Sequence, residues 1–172
     1  MKLDEVSSGA LYVDTNVWYM YLRADPKTRP VLTTFLRRVV RRVCDAFVGV
    51  PVLDELFYQL LLARVQDATG RHPLEVLRAD RAGTIRDYGP AIDTALRQLV
   101  SLPHIHLVGV ETADFSRMLE NIKTYALLPR DAIHVALMQR LHLTAVASDD
   151  TDFDRVLTLT RHWVINPPHG AS

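Results

Sequence analysis

The sequence predicts an α/β protein in which helices cover both faces of a central parallel sheet. Short apolar runs alternate with longer segments of helical periodicity, and this alternation is typical of parallel sheets. The chain has 172 residues, of which 48% are hydrophobic and 23% are charged. That composition is ordinary for a globular protein, and the length suits one domain with a sizeable core. We therefore expect a single domain over 1–166 and a flexible tail over 167–172.

The first third of the chain predicts two strand–helix units with a further helix between them. The apolar run at 10–13 ends at Asp14, as a buried strand would. Pro51 stops a second apolar run and suits the first turn of the helix that follows. Apolar residues at helical spacing, with arginines on the opposite face, predict the helix between the two units. In order, the expected elements are a strand over 10–13, helices over 15–22 and 31–43, a strand over 46–50 and a helix over 51–66.

The middle of the chain has the weakest signals for regular structure. Residues 67–90 carry many charges together with residues that break helices, namely Gly70, Pro73, Gly83, Gly89 and Pro90. We therefore expect a loop-rich elaboration of the domain over 67–90, with one short helix around 74–78. Regular structure is expected to resume with a helix over 92–99 and a strand over 105–108.

The last third of the chain returns to alternating helices and strands. Pro129 suits the first turn of one of these helices, and an acidic turn at 149–152 follows the fourth apolar run. In order, the expected elements are helices over 112–123 and 130–141, a strand over 144–147, a short helix over 153–157 and a strand over 162–165.

Charge and cysteine content exclude several classes of protein. The 20 basic residues balance the 20 acidic ones, so bulk basicity alone cannot hold the chain to a polyanion. The one cysteine, Cys44, excludes an intrachain disulfide and a thiolate metal cluster within one chain. No segment reaches the ~20 apolar residues of a membrane helix, and acids stand at the start, where a signal peptide would be basic. These features predict a cytoplasmic protein without a membrane partner.

Five acidic residues occupy positions at which carboxylates can cooperate. Asp14 follows one predicted strand, and Asp150 and Asp152 follow another, at the edge where ligands of such sheets gather. Asp131 opens a helix, and Glu55 lies on a helix whose other residues are mostly apolar. Singly, each acid has a structural explanation as a cap, a turn residue, a helix-dipole partner or half of an ion pair. Together, without interleaved histidine or cysteine, they favour a site for Mg²⁺ or Mn²⁺.

A carboxylate-bound cation of this kind suits the cleavage of phosphodiester bonds. It lowers the pKa of a bound water, orients that water for in-line attack and neutralises the charge that develops on the phosphate. A chain of zero net charge can therefore act on nucleic acid through a loaded cation and local arginine patches.

Four segments, taken in order, resemble the motifs of PIN domains, a family of metal-dependent ribonucleases. The segments cover 11–17, 52–56, 128–137 and 147–153. Within that family, the motifs look like those of the VapC-like toxins of type II toxin–antitoxin modules. The resemblance implies a three-layer α/β/α fold with about four to five parallel strands. It also implies Mg²⁺- or Mn²⁺-dependent hydrolysis of RNA, a homodimer, and inhibition by an antitoxin protein.

The resemblance further implies roles for individual residues. The acids expected to act in catalysis are Asp14, Glu55, Asp131 and Asp150. The acids expected to hold metal are Asp14, Asp131, Asp150 and Asp152. Thr15, Asn16 and Ser148 match polar positions that support these acids or a metal-bound water. Asp149 departs from the family pattern by adding a third acid to the turn, so the choice of metal-binding carboxylates stays open.

Basic residues and one histidine offer further candidates. The arginines that could contact RNA phosphates are Arg130, beside an expected metal-binding acid, and Arg37, Arg38 and Arg41 on one helix. An arginine-rich helix face is equally typical of a solvated surface, and Arg130 could instead form an ion pair. His134 either faces the site or packs in the core. Two alternatives to a toxin also stay open: an RNA-processing PIN nuclease, and a non-catalytic PIN-like scaffold that binds RNA or protein.

Overall fold

A computed structural model describes residues 1–24 and 26–167 of the chain. In this part of the chain, five strands form one parallel sheet in the spatial order β3-β2-β1-β4-β5. The strands are β1 (Ala10–Val13), β2 (Asp45–Gly49), β3 (Ile105–Val108), β4 (Ala145–Ala147) and β5 (Thr160–His162). The predicted α/β fold with a central parallel sheet is confirmed.

Helices flank the sheet and connect its strands. They are α1 (Thr15–Arg23), α2 (Arg29–Val40), α3 (Val50–Thr69), α4 (Pro73–Ala79), α5 (Arg81–Val100), α6 (Thr112–Tyr125) and α7 (Pro129–Arg140). Two short 3-10 helices cover Leu3–Glu5 and Thr151–Arg155. The helical spacing of the apolar residues in α2 buries Leu32, Phe35 and Val39, as the sequence periodicity predicts.

The central position of β1 brings the carboxyl ends of two strands together. β1 pairs with β2 on one side and with β4 on the other, and Val13 stands opposite Ala147. The pairing continues past the strand ends, because the Asp14 amide donates a hydrogen bond of 3.0 Å to the Ala147 carbonyl. The residues that follow β1 and β4 therefore lie side by side at one edge of the sheet.

A buried polar pair lies directly beneath that edge. Tyr12 of β1 is fully buried, and its hydroxyl is hydrogen-bonded to Nδ1 of His134 on α7 at 2.8 Å. A Cβ at Gly49 would overlap the Tyr12 hydroxyl, so β2 ends in the one residue type that leaves this space. His134 therefore packs in the core, and burial lowers its pKa to about 4 and keeps the ring neutral at neutral pH.

The prediction of a loop-rich segment over 67–90 is wrong. The end of α3, all of α4 and the first half of α5 fill almost all of it. The supposed helix breakers Gly83, Gly89 and Pro90 lie inside α5. Asp80 caps this helix, since its carboxylate accepts a hydrogen bond of 2.8 Å from the Gly83 amide. α5 then packs along α3, and this tertiary contact outweighs the poor helix propensity of its glycines and proline.

The end of the chain differs from the sequence prediction in register. β5 covers Thr160–His162 rather than 162–165, because the amides of residues 164–166 bind the Asp149 carboxylate instead of a neighbouring strand. The predicted tail lies outside the described residues except for Pro167, and the division of the chain into 1–166 and a tail stays a prediction. Within 1–24 and 26–167, no helix has the length and apolar character needed to cross a membrane.

Candidate active site

Asp14 is the most firmly held acid of the sheet edge. It is 7% exposed and forms the N-cap of α1 directly after β1. Its carboxylate accepts hydrogen bonds from the Thr15 amide at 2.7 Å, Asn16 Nδ2 at 2.6 Å and the Ser148 hydroxyl at 2.7 Å. Burial raises the pKa of Asp14 to about 6, against the lowering effect of these donors, and the charges of Glu55 and Asp150 raise it further.

Ser148 and Asn16 connect the ends of β1 and β4. The Ser148 hydroxyl donates to Asp14 and accepts hydrogen bonds from Asn16 Nδ2 at 3.0 Å and the Asp150 amide at 2.9 Å. The Asn16 side-chain oxygen accepts a hydrogen bond of 3.1 Å from the Asp149 amide. This fully used hydroxyl sets the position of Asp14 relative to the acidic turn, and the supporting role of Asn16 and Ser148 in catalysis stays a prediction.

Glu55 reaches the same edge from α3. Its carboxylate accepts hydrogen bonds from the Thr15 hydroxyl at 3.1 Å and Gln59 Nε2 at 3.0 Å. It also forms an ion pair with Arg130, in which the guanidinium nitrogen NH1 lies 3.0 Å from Oε1. These contacts compensate the half-buried carboxylate, and the ion pair is one of the structural explanations that the sequence offers for a single acid.

Asp131 is the acid with the least compensation. It lies in the first turn of α7, and its carboxylate forms no hydrogen bond or ion pair with another residue of the described chain. Burial raises its pKa to about 6, and the charges of Asp150, Asp152 and Glu55 raise it further. A hydrogen bond from its own backbone amide is the one contact that lowers the pKa. Negative charge is thus in excess at this position.

The three acids of the turn after β4 have separate roles. Asp150 caps the 3-10 helix Thr151–Arg155, accepting a hydrogen bond of 2.9 Å from the Asp152 amide. Asp152 forms an ion pair of 3.0 Å with Arg155. Asp149 binds the amides of Val164, Ile165 and Asn166 at 2.7 to 3.2 Å. Asp149 therefore holds the chain segment that follows β5. The negative charges of Asp150 and Asp152 instead interact with Asp131.

The donor set fits a hard divalent cation in its chemistry. The side chains that interact electrostatically at this edge offer only carboxylate oxygens, which hard divalent cations prefer as ligands. Asp14 and Asp131 have raised pKa values, which a nearby cation would lower. No three histidine, cysteine, aspartate or glutamate side chains within 1–24 and 26–167 lie close enough together to enclose an ion. Like charges repel, so carboxylates that share one edge are expected to stand apart until a cation compensates them.

The arginines of α2 lie away from these acids. The Arg38 guanidinium donates a hydrogen bond to the Val6 carbonyl, which precedes β1. Arg41 immediately follows α2 and precedes β2, and Arg37 is exposed on the same helix. Arg38 and Arg41 therefore stand near the amino ends of the strands, and no contact joins Arg37 to an acid of the site within the described residues. Of the four arginines predicted to contact RNA, Arg130 alone lies at the acidic edge.

Two residues that contact acids of this edge, Gln59 and Arg155, were not predicted from the sequence. Gln59 holds Glu55 from one helical turn further along α3, a spacing of four residues that could have indicated the contact. Arg155 lies three residues after Asp152 on the 3-10 helix, which is likewise a readable spacing. Both residues compensate acids whose motif had already been found.

Comparisons with known proteins agree on the fold. The family model described as PIN domain matches residues 11–157. The chain is similar in structure to VapBC2 from Rickettsia felis, solved with a DNA fragment from its promoter, with a TM-score of 0.58 and 11% identity over 90% of this chain and 98% of that chain. It is also similar to a toxin–antitoxin complex from Klebsiella pneumoniae, with a TM-score of 0.56 and 12% identity over 87% of this chain and 95% of that one.

A third similar structure is VapC20 from Mycobacterium tuberculosis, described as a toxin that cleaves the sarcin–ricin loop. Its TM-score is 0.53 and its identity 16%, over 85% of this chain and 94% of that chain. A search of curated protein sequences finds no match. At these identities, the structural similarities establish a shared fold.

Proposed function

The chain belongs to the PIN domain family, and from this we propose that it is a cytoplasmic, metal-dependent endoribonuclease, the toxin of a type II toxin–antitoxin pair. One observation carries the proposal. The uncompensated carboxylate of Asp131 lies in the field of Asp150, Asp152 and Glu55, and the last two of these also form ion pairs with arginines. Such an excess of negative charge at the carboxyl edge of a parallel sheet is what a cation-dependent phosphodiesterase needs.

We propose that Asp14, Asp131 and Asp150 hold the cation, with Asp152 as an outer or shared ligand. Mg²⁺ or Mn²⁺ bound there would supply a water of lowered pKa and would neutralise charge on the phosphate. The chain's own polar residues keep the acids in place. Asn16 and Ser148 orient Asp14, while Thr15 orients Glu55 from the first turn of α1.

The remaining role falls to Glu55, which lies across the edge from Asp131. Its two carboxylate oxygens accept hydrogen bonds from Thr15 and Gln59, so neutral donors set its orientation before substrate arrives. In the proposed reaction, Glu55 accepts a proton from the attacking water as general base. A carboxylate held by neutral donors suits that role.

For the antitoxin, we propose a docking surface in the apolar groove between α3, α4 and α5. The groove has a volume of about 750 Å³, and Leu53, Phe57 and Ile85 are among the residues that line it. Arg78 and Arg81 also line the groove and form no ion pair within the described residues. An amphipathic antitoxin segment with acidic residues would complement both the apolar floor and the two arginines. A homodimer remains a further expectation for this chain.

The ribonuclease proposal is tested by incubating purified protein with labelled total RNA in the presence of Mn²⁺. Asp14→Asn keeps the shape of the side chain but removes its charge, and we expect at least about a hundredfold loss of cleavage rate. Asp93→Asn is the matched control, because Asp93 lies on the exposed surface of α5 in an ion pair with Arg97. Equal cleavage by wild type and Asp14→Asn would contradict the proposal.

The same samples separate the alternatives. A non-catalytic scaffold would bind RNA with no cleavage that depends on Asp14. An RNA-processing nuclease would cleave, but its expression would not arrest growth in a manner that a co-encoded antitoxin reverses. The toxin proposal requires both Asp14-dependent cleavage and reversible growth arrest.

A further inference from the structure

Arg130 precedes the proposed metal-binding Asp131 and forms an ion pair with a residue of another helix. It lies at the start of α7, immediately before Asp131, and its side chain is 66% exposed. Its guanidinium reaches α3, where NH1 lies 3.0 Å from Oε1 of Glu55. The contact therefore bridges two helices across the acidic edge.

The position of this guanidinium matters because the negative charge of Glu55 interacts with both Asp14 and Asp131. The charge of Glu55 contributes to the raised pKa of Asp14 and to that of Asp131. A cation on Glu55 offsets part of the same negative field that would attract a divalent metal ion. In the metal-free protein, the Arg130 side chain thus supplies positive charge that the edge otherwise lacks.

The contact is also easy to exchange. An ion pair with one partner largely in solvent contributes little to stability, so little holds Arg130 in place against a competing charge. A divalent cation near Asp131 carries twice the charge and repels the guanidinium. A guanidinium freed at this edge matches a phosphate with two parallel N–H donors, which an ammonium group cannot do.

We propose that Arg130 occupies two positions, on Glu55 in the metal-free protein and on an RNA phosphate once the cation is bound. This inference rests on the proposed ribonuclease function and makes Arg130 a positioning residue for the substrate. It also gives the ion pair a regulatory consequence, since Arg130 lowers the cation affinity of the empty site and releases Glu55 when the site is loaded.

Arg155 does not fit this role equally well. Its partner Asp152 lies three residues away on the same 3-10 helix, and a second nitrogen of the guanidinium donates to the Ala126 carbonyl at 3.5 Å. The pair is thus local and doubly held. Arg130, by contrast, reaches from α7 to an acid on a different helix, Glu55 of α3.

The first measurement is the affinity for Mn²⁺ by calorimetry without RNA. We expect Arg130→Ala to bind Mn²⁺ about threefold to tenfold more tightly than wild type, because a competing unit charge has been removed. Arg130→Lys keeps the charge and should restore the wild-type affinity. Arg97→Ala is the matched control, since it also removes one exposed, ion-paired arginine, but from α5.

The second measurement follows substrate binding. We expect Arg130→Ala to raise KM for a short single-stranded RNA by about threefold to tenfold with a smaller change in kcat, and Arg130→Lys to rescue it only in part. In wild type, the side-chain Nε resonance of Arg130 in [¹⁵N]arginine-labelled protein should shift on addition of Mg²⁺.

Two results would overturn the inference and leave the ribonuclease proposal intact. One is equal Mn²⁺ affinity in Arg130→Ala, Arg97→Ala and wild type. The other is an Arg130 Nε resonance that Mg²⁺ does not move. Failure of wild type to bind Mn²⁺ at all, together with absent RNA cleavage, would instead remove the proposed function and this inference with it.

Discussion

Asp14 and Asp131 compensate their charge in different ways, although burial and neighbouring carboxylates raise the pKa of both to about 6. Asp14 accepts three hydrogen bonds, whereas Asp131 has no partner beyond its own backbone within the described residues. The equal pKa values mean that ionisation costs the metal-free fold about as much at Asp131 as at Asp14. Asp131 is the simpler residue to substitute, because no other described residue donates a hydrogen bond to its carboxylate.

This cost should appear as a pH-dependent effect of Asp131→Asn in metal-free protein. The pKa of the Asp131 carboxyl is about 6 in the folded protein, against 3.8 for an unperturbed aspartate. Its ionisation therefore lowers the free energy of unfolding increasingly as the pH rises from 3.8 to about 6, and this loss is complete above that pH. Discounted for partial exposure, the substitution should raise the free energy of unfolding by roughly 1–2 kcal/mol near pH 7.5, and by much less near pH 4.5.

Urea denaturation in EDTA at the two pH values measures this difference. Asp93→Asn on the surface of α5 serves as the control and should show no such gain at either pH. A gain for Asp131→Asn that is the same at both pH values would show that the ionised carboxylate is not destabilising.

At the scale of the element, α5 shows how packing overrules local propensity. The helix contains Gly83, Gly89 and Pro90, each of which weakens an isolated helix. Its cap at Asp80 and its contact with α3 supply the compensation. The two glycines differ, however, in what surrounds them. A Cβ at Gly89 would meet Ile85 and Phe57 at 3.6 and 3.8 Å, which is ordinary contact, whereas a Cβ at Gly83 would overlap the capping carboxylate.

The two glycines therefore predict different responses to alanine. Gly89→Ala should change the free energy of unfolding by less than about 1 kcal/mol, because the entropy that alanine saves is offset by crowding between its Cβ and the ring of Pro90. Gly83→Ala should lower the free energy of unfolding by about 1 kcal/mol, since it displaces the Asp80 cap. Thermal unfolding of both variants beside wild type tests the pair, and a Gly83→Ala protein as stable as wild type would contradict this account of the Asp80 cap.

At the scale of the whole molecule, a net charge of zero conceals a division of charge between surfaces. Five acids occupy the carboxyl edge of the sheet or its rim, while exposed arginines stand near the opposite edge and at the apolar groove. The site for a phosphate and the surface for a protein partner are thereby separated. A partner in the groove could act on the site from α3, which carries Glu55 on its other face.

The separation predicts that partner binding and catalysis can be uncoupled. Ile85 is 45% exposed in the groove, so Ile85→Glu should fold normally and keep its ribonuclease activity. Growth arrest by this variant should no longer be reversed by the co-expressed antitoxin, because a carboxylate would enter the apolar interface. Leu119→Glu, at a similarly exposed position on α6, is the control and should still be neutralised. Full neutralisation of Ile85→Glu would place the antitoxin elsewhere.

The sequence by itself determined four of the five strands, most of the helices and the positions of the acids relative to these elements. Local signals were sufficient for these, because a short apolar run that ends in aspartate specifies both a buried strand and a carboxylate at its end. Tertiary structure decided the matters that depend on segments far apart in the chain. It directed Asp149 to the amides after β5 and left Asp150 at the edge, made a helix of 81–90 through contact with α3, and joined Arg130 to Glu55. The residues adjacent in sequence do not indicate these partners, because only the packing of distant segments brings the partners into contact.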